Sequence, residues 1–158
     1  GGDGGTLSVQ GGRMAVRGGA LLDLSGGHAV NRPDEGYVLG GRGGDVRIGG
    51  SGHLVLDGGA LFLAGGQGLS PQVIDGPRGT AGRLLVNGGQ LTLKRGLVTA
   101  VEDSRRPDVD PTWGGLSDTR LVGTTLDIQG GVVDATSILR LDDARVNLGG
   151  GTLRARHI

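Results

Sequence analysis

The sequence predicts an all-β fold, a parallel β-solenoid with three short strands per turn. Apolar residues alternate with polar or small ones in short runs, and a glycine pair closes most of these runs. Three such runs fill residues 4–27, and the same order recurs in residues 43–66. A recurring order of strands and corners indicates stacked repeats, because each thin repeat can bury its apolar faces only against its neighbours.

Composition favours thin stacked layers over a conventional globular core. The chain of 158 residues contains 37 glycines and 5 prolines, and its aromatic residues are Tyr37, Phe62 and Trp113. Leucine, valine and isoleucine fill a narrow interior without the large aromatic side chains on which globular cores usually rely. The strict alternation between the glycines argues against a disordered glycine-rich linker.

Charge and cysteine content exclude several classes of partner and site. The chain has 16 basic and 16 acidic side chains and no cysteine. A neutral chain has no long-range attraction for nucleic acid or an anionic membrane, so we predict neither as a partner. Absence of cysteine excludes disulfides and thiolate metal sites. No apolar run reaches membrane-spanning length, and the missing N-terminal Met and leader predict a piece of a longer chain.

Each predicted strand places aliphatic residues on its inner face. Those of the first two repeats are Leu7, Val9, Met14, Val16, Leu22, Leu24, Val46, Ile48, Leu54, Leu56, Leu61 and Leu63, with Phe62 pointing outward. Alignment of the repeats predicts three inward columns. They are Leu7, Val46, Leu84, Leu126 and Val146; then Val9, Ile48, Val86, Ile128 and Leu148; then Met14, Leu54, Leu91, Val133 and Leu153.

The step from Leu126 to Val146 sets the length of a bare repeat at about 20 residues. We therefore predict four full turns and a partial fifth, a single segment over residues 1–158 and a rod roughly 20–25 Å long. Longer steps carry inserted loops at residues 28–42, 67–80 and 101–123, all at the corner after the third strand.

An antiparallel sandwich is the main competing fold, and it requires hairpin turns such as Asn-Gly. The pair Asn87–Gly88 fits such a turn. The same position of the repeat, however, holds Gln10–Gly11 and Gln129–Gly130. A pair that recurs in this way indicates a repeated solenoid corner.

Four side chains in the insertions form a candidate ligand-contact ridge. They are Tyr37, Arg105, Arg106 and Trp113. Loops that leave a rigid scaffold at one edge commonly carry binding residues. The competing interpretation is that these loops only cover and shield a face of the solenoid.

Several phrases resemble one protein family. GGALLDLSGG at residues 18–27, GYVLGGRGGDVRI at residues 36–48 and the later GGxLxL phrases resemble the filamentous-haemagglutinin family of large bacterial exoproteins. The resemblance spans most of the chain and is clearest over residues 1–96. It implies a right-handed parallel β-helical shaft, exported by two-partner secretion through an outer-membrane β-barrel and acting in adhesion, biofilm formation or toxin display. The Asn-Pro motifs of the family's secretion domain are absent, which implies an internal shaft segment.

An enzyme and a toxin stalk stay open as alternatives. A β-helical polysaccharide lyase or glycosidase needs clustered carboxylates in a groove. The candidates are Asp103, Asp108 and Asp110 with Arg105 and Arg106, and the pair Asp142 and Asp143. Adjacent residues on a strand face opposite ways, so that pair is not expected to converge. The stalk of a contact-dependent toxin would have the same repeats.

No metal, cofactor or catalytic residue is predicted. GGRGGD at residues 40–45 begins like a calcium-binding nonapeptide repeat, but Arg47 occupies the position that should be apolar. His28, His53 and His157 are scattered and make no ligand spacing.

We therefore predict a non-enzymatic shaft segment of a secreted or cell-surface exoprotein associated with the bacterial outer membrane. The expected partners are an export transporter, by resemblance, and host or bacterial surface glycans or proteins. Strand edges exposed at the two ends also predict end-to-end self-association.

Overall fold

The computed structural model describes residues 2–29, 39–66, 68–70, 73–76, 82–99, 118–134, 138–155 and 158. Within these ranges all regular structure is β-strand. The strands are β1 (Thr6–Val9), β2 (Arg13–Arg17), β3 (Leu21–Asp23), β4 (Asp45–Gly49), β5 (His53–Phe62), β6 (Gly68–Ser70), β7 (Val73–Gly76), β8 (Arg83–Asn87), β9 (Gln90–Thr99), β10 (Asp118–Val122), β11 (Thr125–Ile128), β12 (Val132–Asp134), β13 (Ile138–Asp142), β14 (Arg145–Leu148) and β15 (Thr152–Arg154).

Thirteen of these strands form two parallel sheets. The first sheet has the order β1-β4-β8-β10-β13. The second sheet contains eight strands, which are β2, β3, β5, β9, β11, β12, β14 and β15. The long strands β5 and β9 each pair with two successive strands of a neighbouring repeat. The chain therefore enters the first sheet once and the second sheet twice in each repeat, an arrangement compatible with a β-solenoid. The remaining strands, β6 and β7, form an antiparallel pair inside the span predicted as the second insertion.

The predicted columns are correct for the first three repeats. Leu7 pairs with Val46, and Val46 pairs with Leu84, as aligned from the sequence. Val9, Ile48 and Val86 follow in the same register. Met14, Leu54 and Leu91 also stack, so the alternation of apolar residues identified both the strands and their neighbours.

From the fourth repeat onward the predicted columns are wrong by one strand. Leu84 pairs with Thr119 rather than Leu126, and Leu126 pairs with Leu91 in the second sheet. The same shift places Val133 beside Val98. Its cause is β10, which lies in residues 101–123 that were predicted to be an insertion. The described strands thus make five repeats, not four and a partial fifth, although the 20-residue step from Leu126 to Val146 is confirmed.

Stacked aliphatic side chains form one continuous core. The inward residues of the middle repeats are fully buried, among them Ile48, Leu54, Leu56, Leu61, Leu91, Leu93, Leu121, Leu126 and Ile128. The prediction that Phe62 points outward between two inward leucines is confirmed, because Leu61 and Leu63 are buried and Phe62 is half-buried. Burial of each leucine stabilises the fold by about 1.5–3 kcal/mol relative to exposure.

The corner between the first and second strands of a repeat turns through a left-handed residue. Gly50, Gly88 and Gly123 have φ of 57°, 72° and 53°, and the fifth repeat places Asp143 there with φ of 51°. Aspartate is one of the few non-glycine residues that adopt this region without a large cost. The second to fifth repeats therefore keep one corner geometry while the side chains around it change, whereas in the first repeat the left-handed residue is Gly12, with φ of 70°.

The third corner is a bundle of extended glycine-rich segments that we call the glycine junction, residues 2–5, 24–27, 41–44, 63–66 and 82. Segments that leave a repeat lie beside segments that enter the next one. The amide of Gly27 donates to the carbonyl of Gly2 at 2.8 Å, Gly41 donates to Gly27 at 2.9 Å, and Gly66 donates to Gly41 at 2.8 Å. The longest connections, between β3 and β4 and between β5 and β8, pass through this bundle.

The glycine junction leaves no room for a side chain at Gly82. A Cβ atom there would overlap the backbone of Gly44, including its carbonyl oxygen, in the neighbouring repeat. Because backbone cannot move aside as a flexible side chain does, we expect Gly82→Ala to lower the free energy of unfolding by about 1–3 kcal/mol. Urea unfolding measures the change. Gly2→Ala is the matched control, since a Cβ at Gly2 meets no atom within 4 Å; equal losses in both variants would contradict the packing described.

The corrected register can be tested with engineered disulfides, because the chain has no cysteine of its own. Thr92 and Asp127 are paired in adjacent strands, so their Cα atoms are about 4.8 Å apart. A disulfide can span this Cα–Cα distance. We expect Thr92→Cys with Asp127→Cys to close quantitatively under mild oxidation, measured by loss of free thiol. The control pair, Leu85→Cys with Asp127→Cys, follows the register aligned from sequence and should stay reduced. If only the control pair formed a disulfide, the register aligned from the sequence would be correct and the one described here would be wrong.

Candidate functional site

The side chains predicted to contact a ligand lie outside the described residues. Tyr37, Arg105, Arg106 and Trp113 all belong to this group, and so do the candidate carboxylates Asp103, Asp108 and Asp110 and the histidine His157. The ligand-contact ridge therefore stays a prediction. The site has to be built from the outer faces and corners of the five repeats.

A cluster of three arginines around one aspartate marks the outer face of the first sheet. Asp45 begins β4 and is only 6% exposed. Arg83, its neighbour in β8, donates from Nε to Oδ1 at 3.1 Å and from Nη2 to Oδ2 at 2.6 Å. Arg42 donates to Oδ1 at 2.8 Å, and Arg47 donates to Oδ2 at 3.4 Å. Strand register and alternation bring these groups together, because Arg83 lies beside Asp45 and Arg47 follows it by two residues.

The arginines keep Asp45 ionised. Hydrogen bonding from Arg83 lowers the pKa of the Asp45 carboxyl below its ordinary 3.8, burial opposes this, and the charge of Arg42 lowers it further. Both oxygens accept hydrogen bonds from guanidinium groups, so Asp45 has no role as a proton donor near neutral pH. The cluster joins the segment that returns from the first insertion to β4 and β8, which makes it a clasp between repeats.

Sequence reasoning noticed this stretch but missed its chemistry. GGRGGDVRI begins like a calcium motif, and Arg47 stands where that motif requires an apolar residue. In the structure that same Arg47 donates to Asp45, so the residue that breaks the motif is part of the clasp. Alternation already placed Asp45 and Arg47 on one face, and the aligned repeats placed Arg83 beside Asp45. Those two signals together could have identified the cluster.

Asp142 and Asp143, considered above for catalysis, have different surroundings and are not arranged as a catalytic pair of carboxylates. Asp142 accepts two hydrogen bonds from Arg120, at 3.2 Å from Nε and 3.1 Å from Nη2. Asp143 instead occupies the left-handed corner position. A retaining or inverting glycosidase needs two carboxyl groups that face one sugar across a fixed gap. One member of this pair is engaged by a cation and the other shapes a turn.

The histidines within the described ranges are separated. His53 begins β5, and its Nε2 lies 2.9 Å from Oγ1 of Thr92 in the next repeat. Burial lowers the pKa of His53 below 6.5, and the charge of Arg13 lowers it further, so the ring is neutral at pH 7. His28 lines a separate groove beside Phe62. Across the described residues, no group of three or more histidine, aspartate or glutamate side chains could hold a metal ion.

An open polar groove follows the corner between the first and second strands. It has a volume of about 730 Å³ and spans the second to fifth repeats. Its side chains His53, Gln90, Thr125 and Arg145 occupy one register row, so they follow each other along the stacking direction. The groove offers hydrogen-bond donors and acceptors but no cluster of carboxylates in its described lining. Sequence reasoning missed it because backbone corners, not a motif, create its shape.

Comparison of the chain with family models, curated proteins and solved structures found no match. None of the described residues belongs to a helix of the length and hydropathy needed to cross a bilayer.

The Asp45 clasp predicts a specific loss of stability. Asp45→Asn leaves three arginines around a neutral amide, so we expect the free energy of unfolding at pH 7 to fall by about 1–3 kcal/mol in urea melts. Asp57→Asn is the matched control, because Asp57 pairs with an Arg95 side chain that is 79% exposed and such pairs contribute under about 1 kcal/mol. Equal losses would contradict the clasp.

The same clasp predicts a pH dependence. The pKa of Asp45 in the folded protein lies below its ordinary 3.8. Its contribution to the free energy of unfolding is therefore complete above about pH 4 and is lost as the pH falls through the folded pKa. The wild-type protein should therefore lose stability on acidification faster than Asp45→Asn. Parallel acid profiles for the two proteins would count against this assignment.

Proposed function

We propose that the chain is a structural shaft segment of a secreted or cell-surface bacterial exoprotein, wound as a right-handed parallel β-helix. In this role it supports adhesion, biofilm formation or the display of a distal domain. The observation that carries the proposal is the register of the aliphatic columns across five repeats. A rod depends on such regularity. A β-helical enzyme would share it but would also need clustered carboxylates in a groove, and the described lining of the corner groove has no such cluster.

Stacked repeats supply stiffness. Each repeat is hydrogen-bonded to the next through both parallel sheets, and its inward leucines and valines pack between the layers above and below. Bending the rod would stretch backbone hydrogen bonds on one side and open the core on the other. Proteins that stack repeats in this way are quasi-one-dimensional, so length can grow without a change in cross-section.

Polar side chains on the outer faces also serve cohesion between repeats. Among the described residues, several contacts link one repeat to the next through a side chain from each. They are Arg83 with Asp45, Arg95 with Asp57, His53 with Thr92, and Arg120 with Asp142. Their direction along the stack supports a mechanical role more than a catalytic one.

Export by an outer-membrane β-barrel transporter is part of the proposal and rests on the resemblance of the glycine-rich phrases. A chain without cysteine can cross an oxidising compartment unfolded and with no risk of premature disulfides. Folding outside the cell would then proceed repeat by repeat, since each repeat contacts only its neighbours.

The proposal is tested by replacing the repeats rather than mutating them. In the gene that encodes this chain, one allele lacks residues 2–155 and a second carries unrelated β-solenoid repeats of the same number in their place. Deletion should reduce adhesion or biofilm mass, and the replacement should restore it, because a spacer is defined by length and stiffness. An epitope tag on both proteins, detected with an antibody on intact cells, measures whether each protein reaches the surface.

A replacement allele that reaches the surface but fails to restore adhesion would overturn the spacer role and assign the activity to side chains of this chain. An unchanged phenotype in the deletion allele would also overturn it. Surface detection of the epitope tag distinguishes both of these results from a failure of export.

A further inference from the structure

An Asn-Gly pair occupies one corner of the stack, and the shaft role makes no use of it. Asn87 ends β8 and is exposed, and Gly88 is the left-handed residue of the corner between the first and second strands of the third repeat. Both residues line an open groove of about 570 Å³ together with Gln10 and Arg47. The pair therefore meets solvent in the middle of the stack, with a repeat on each side of it.

Asparagine followed by glycine can deamidate without an enzyme. The backbone nitrogen of Gly88 attacks Cγ of Asn87, its proton passes through solvent to the side-chain amide nitrogen, and ammonia leaves as the Cγ–Nδ2 bond breaks. The product is a succinimide ring, and glycine permits its closure because it has no Cβ to obstruct the approach. Water then adds to one of the two ring carbonyls and opens the ring. The result is aspartate, or isoaspartate with an additional methylene group in the main chain.

The fold engages both polar groups of the peptide unit that has to react. The amide of Gly88 donates to the carbonyl of Val122 at 3.0 Å, in the fourth repeat. The carbonyl of Asn87 accepts from the amide of Gly50 at 3.2 Å, in the second repeat. Ring closure requires the nitrogen of Gly88 to lose its proton and to turn toward the side chain, so both hydrogen bonds have to break first. Pairing with the repeats on either side therefore opposes the reaction.

We propose that Asn87 is a deamidation site whose reaction the fold controls. While both hydrogen bonds of the peptide unit between Asn87 and Gly88 are in place, conversion is slow. When the corner opens, conversion follows, and it cannot be reversed because ammonia is lost. Asn87 thereby records how long this corner has been open. The proposal rests on hydrogen bonds in the middle of the stack and goes beyond the shaft role.

Conversion changes the stack at this position in two ways. Isoaspartate lengthens the main chain, so the corner no longer keeps the register in which Asn87 pairs with Val122. Either product also places a carboxylate on the outer face, where Arg47 lies in the neighbouring strand. Arg47 makes the longest contact of the Asp45 clasp, at 3.4 Å, so it is the arginine most easily drawn away. Both changes weaken the pairing between repeats.

Peptide mapping of the 158-residue chain by mass spectrometry tests the proposal, because it distinguishes amide from acid at each asparagine. In mildly alkaline buffer we expect conversion at Asn87 to be at least about tenfold slower in the folded protein than in guanidinium chloride, since two hydrogen bonds must break first. Asn147 is the matched control. It is also exposed but precedes Leu148, whose side chain hinders ring closure, so it should convert little in either state. Equal rates at Asn87 in the two states, or equal rates at both asparagines in the denaturant, would overturn the proposal.

Asn87→Gln isolates the consequence of the reaction. Glutamine keeps the amide, but its longer side chain has to close a larger ring, which forms far more slowly. Both proteins are held in denaturant until the wild type has converted, and they are then refolded for urea melts. The midpoint should fall for the wild type and stay unchanged for Asn87→Gln. Equal losses, or no loss in the converted wild type, would overturn the role of Asn87 at this corner. No cell takes part in these measurements, so their failure leaves the replacement test of the shaft role untouched.

Discussion

Backbone hydrogen bonding between successive repeats decides which side chains in this protein become neighbours. Once Leu7 lies beside Val46 and Val46 beside Leu84, every other residue of the first sheet is fixed in its row. Inward rows become the continuous core and outward rows become lines of side chains about 4.8 Å apart. The register therefore determines the core, the polar contacts and the corners together, and a slip of one residue would exchange the inner and outer faces.

The same register explains how the stack manages charge. Asp45 is tolerated as a buried carboxylate because its row supplies Arg83 from the neighbouring strand, and alternation supplies Arg47 from its own. A buried charge without such partners would be costly. At the third corner the neighbouring backbone leaves no space for a Cβ atom at positions such as Gly41, Gly44 and Gly82, so glycine is required at those positions. Clasp and junction lie at the same end of the first-sheet strands, where the long connections re-enter the stack.

Sequence predicted the repeats well where two aliphatic residues marked each strand, as in β4 and β8. It failed at β10, where Thr119 lies beside Leu84 instead of an aliphatic residue. Leu121 was then the one inward aliphatic residue that indicated a core strand in this segment. The shift of all later columns followed from that one missed strand. The Asp45 cluster was hard to predict for a different reason, since Asp45 and Arg83 are 38 residues apart and meet only through the register. The corner groove depends on backbone shape, for which composition carries no signal.

A stack held together by register has no internal reason to stop, because the forces that add one repeat also add the next. Net charge does not oppose stacking of repeats either, since 16 basic and 16 acidic side chains cancel. The charges that matter are therefore those that meet within a register row, where like charges on neighbouring strands are destabilising. Arg13 and Arg145 head equivalent strands, β2 and β14, and share a row that is otherwise filled by the uncharged side chains of Gln90 and Thr125 and the neutral ring of His53. Three positions without a like charge separate these two arginines, so the row adds no repulsion between neighbouring strands of the described repeats.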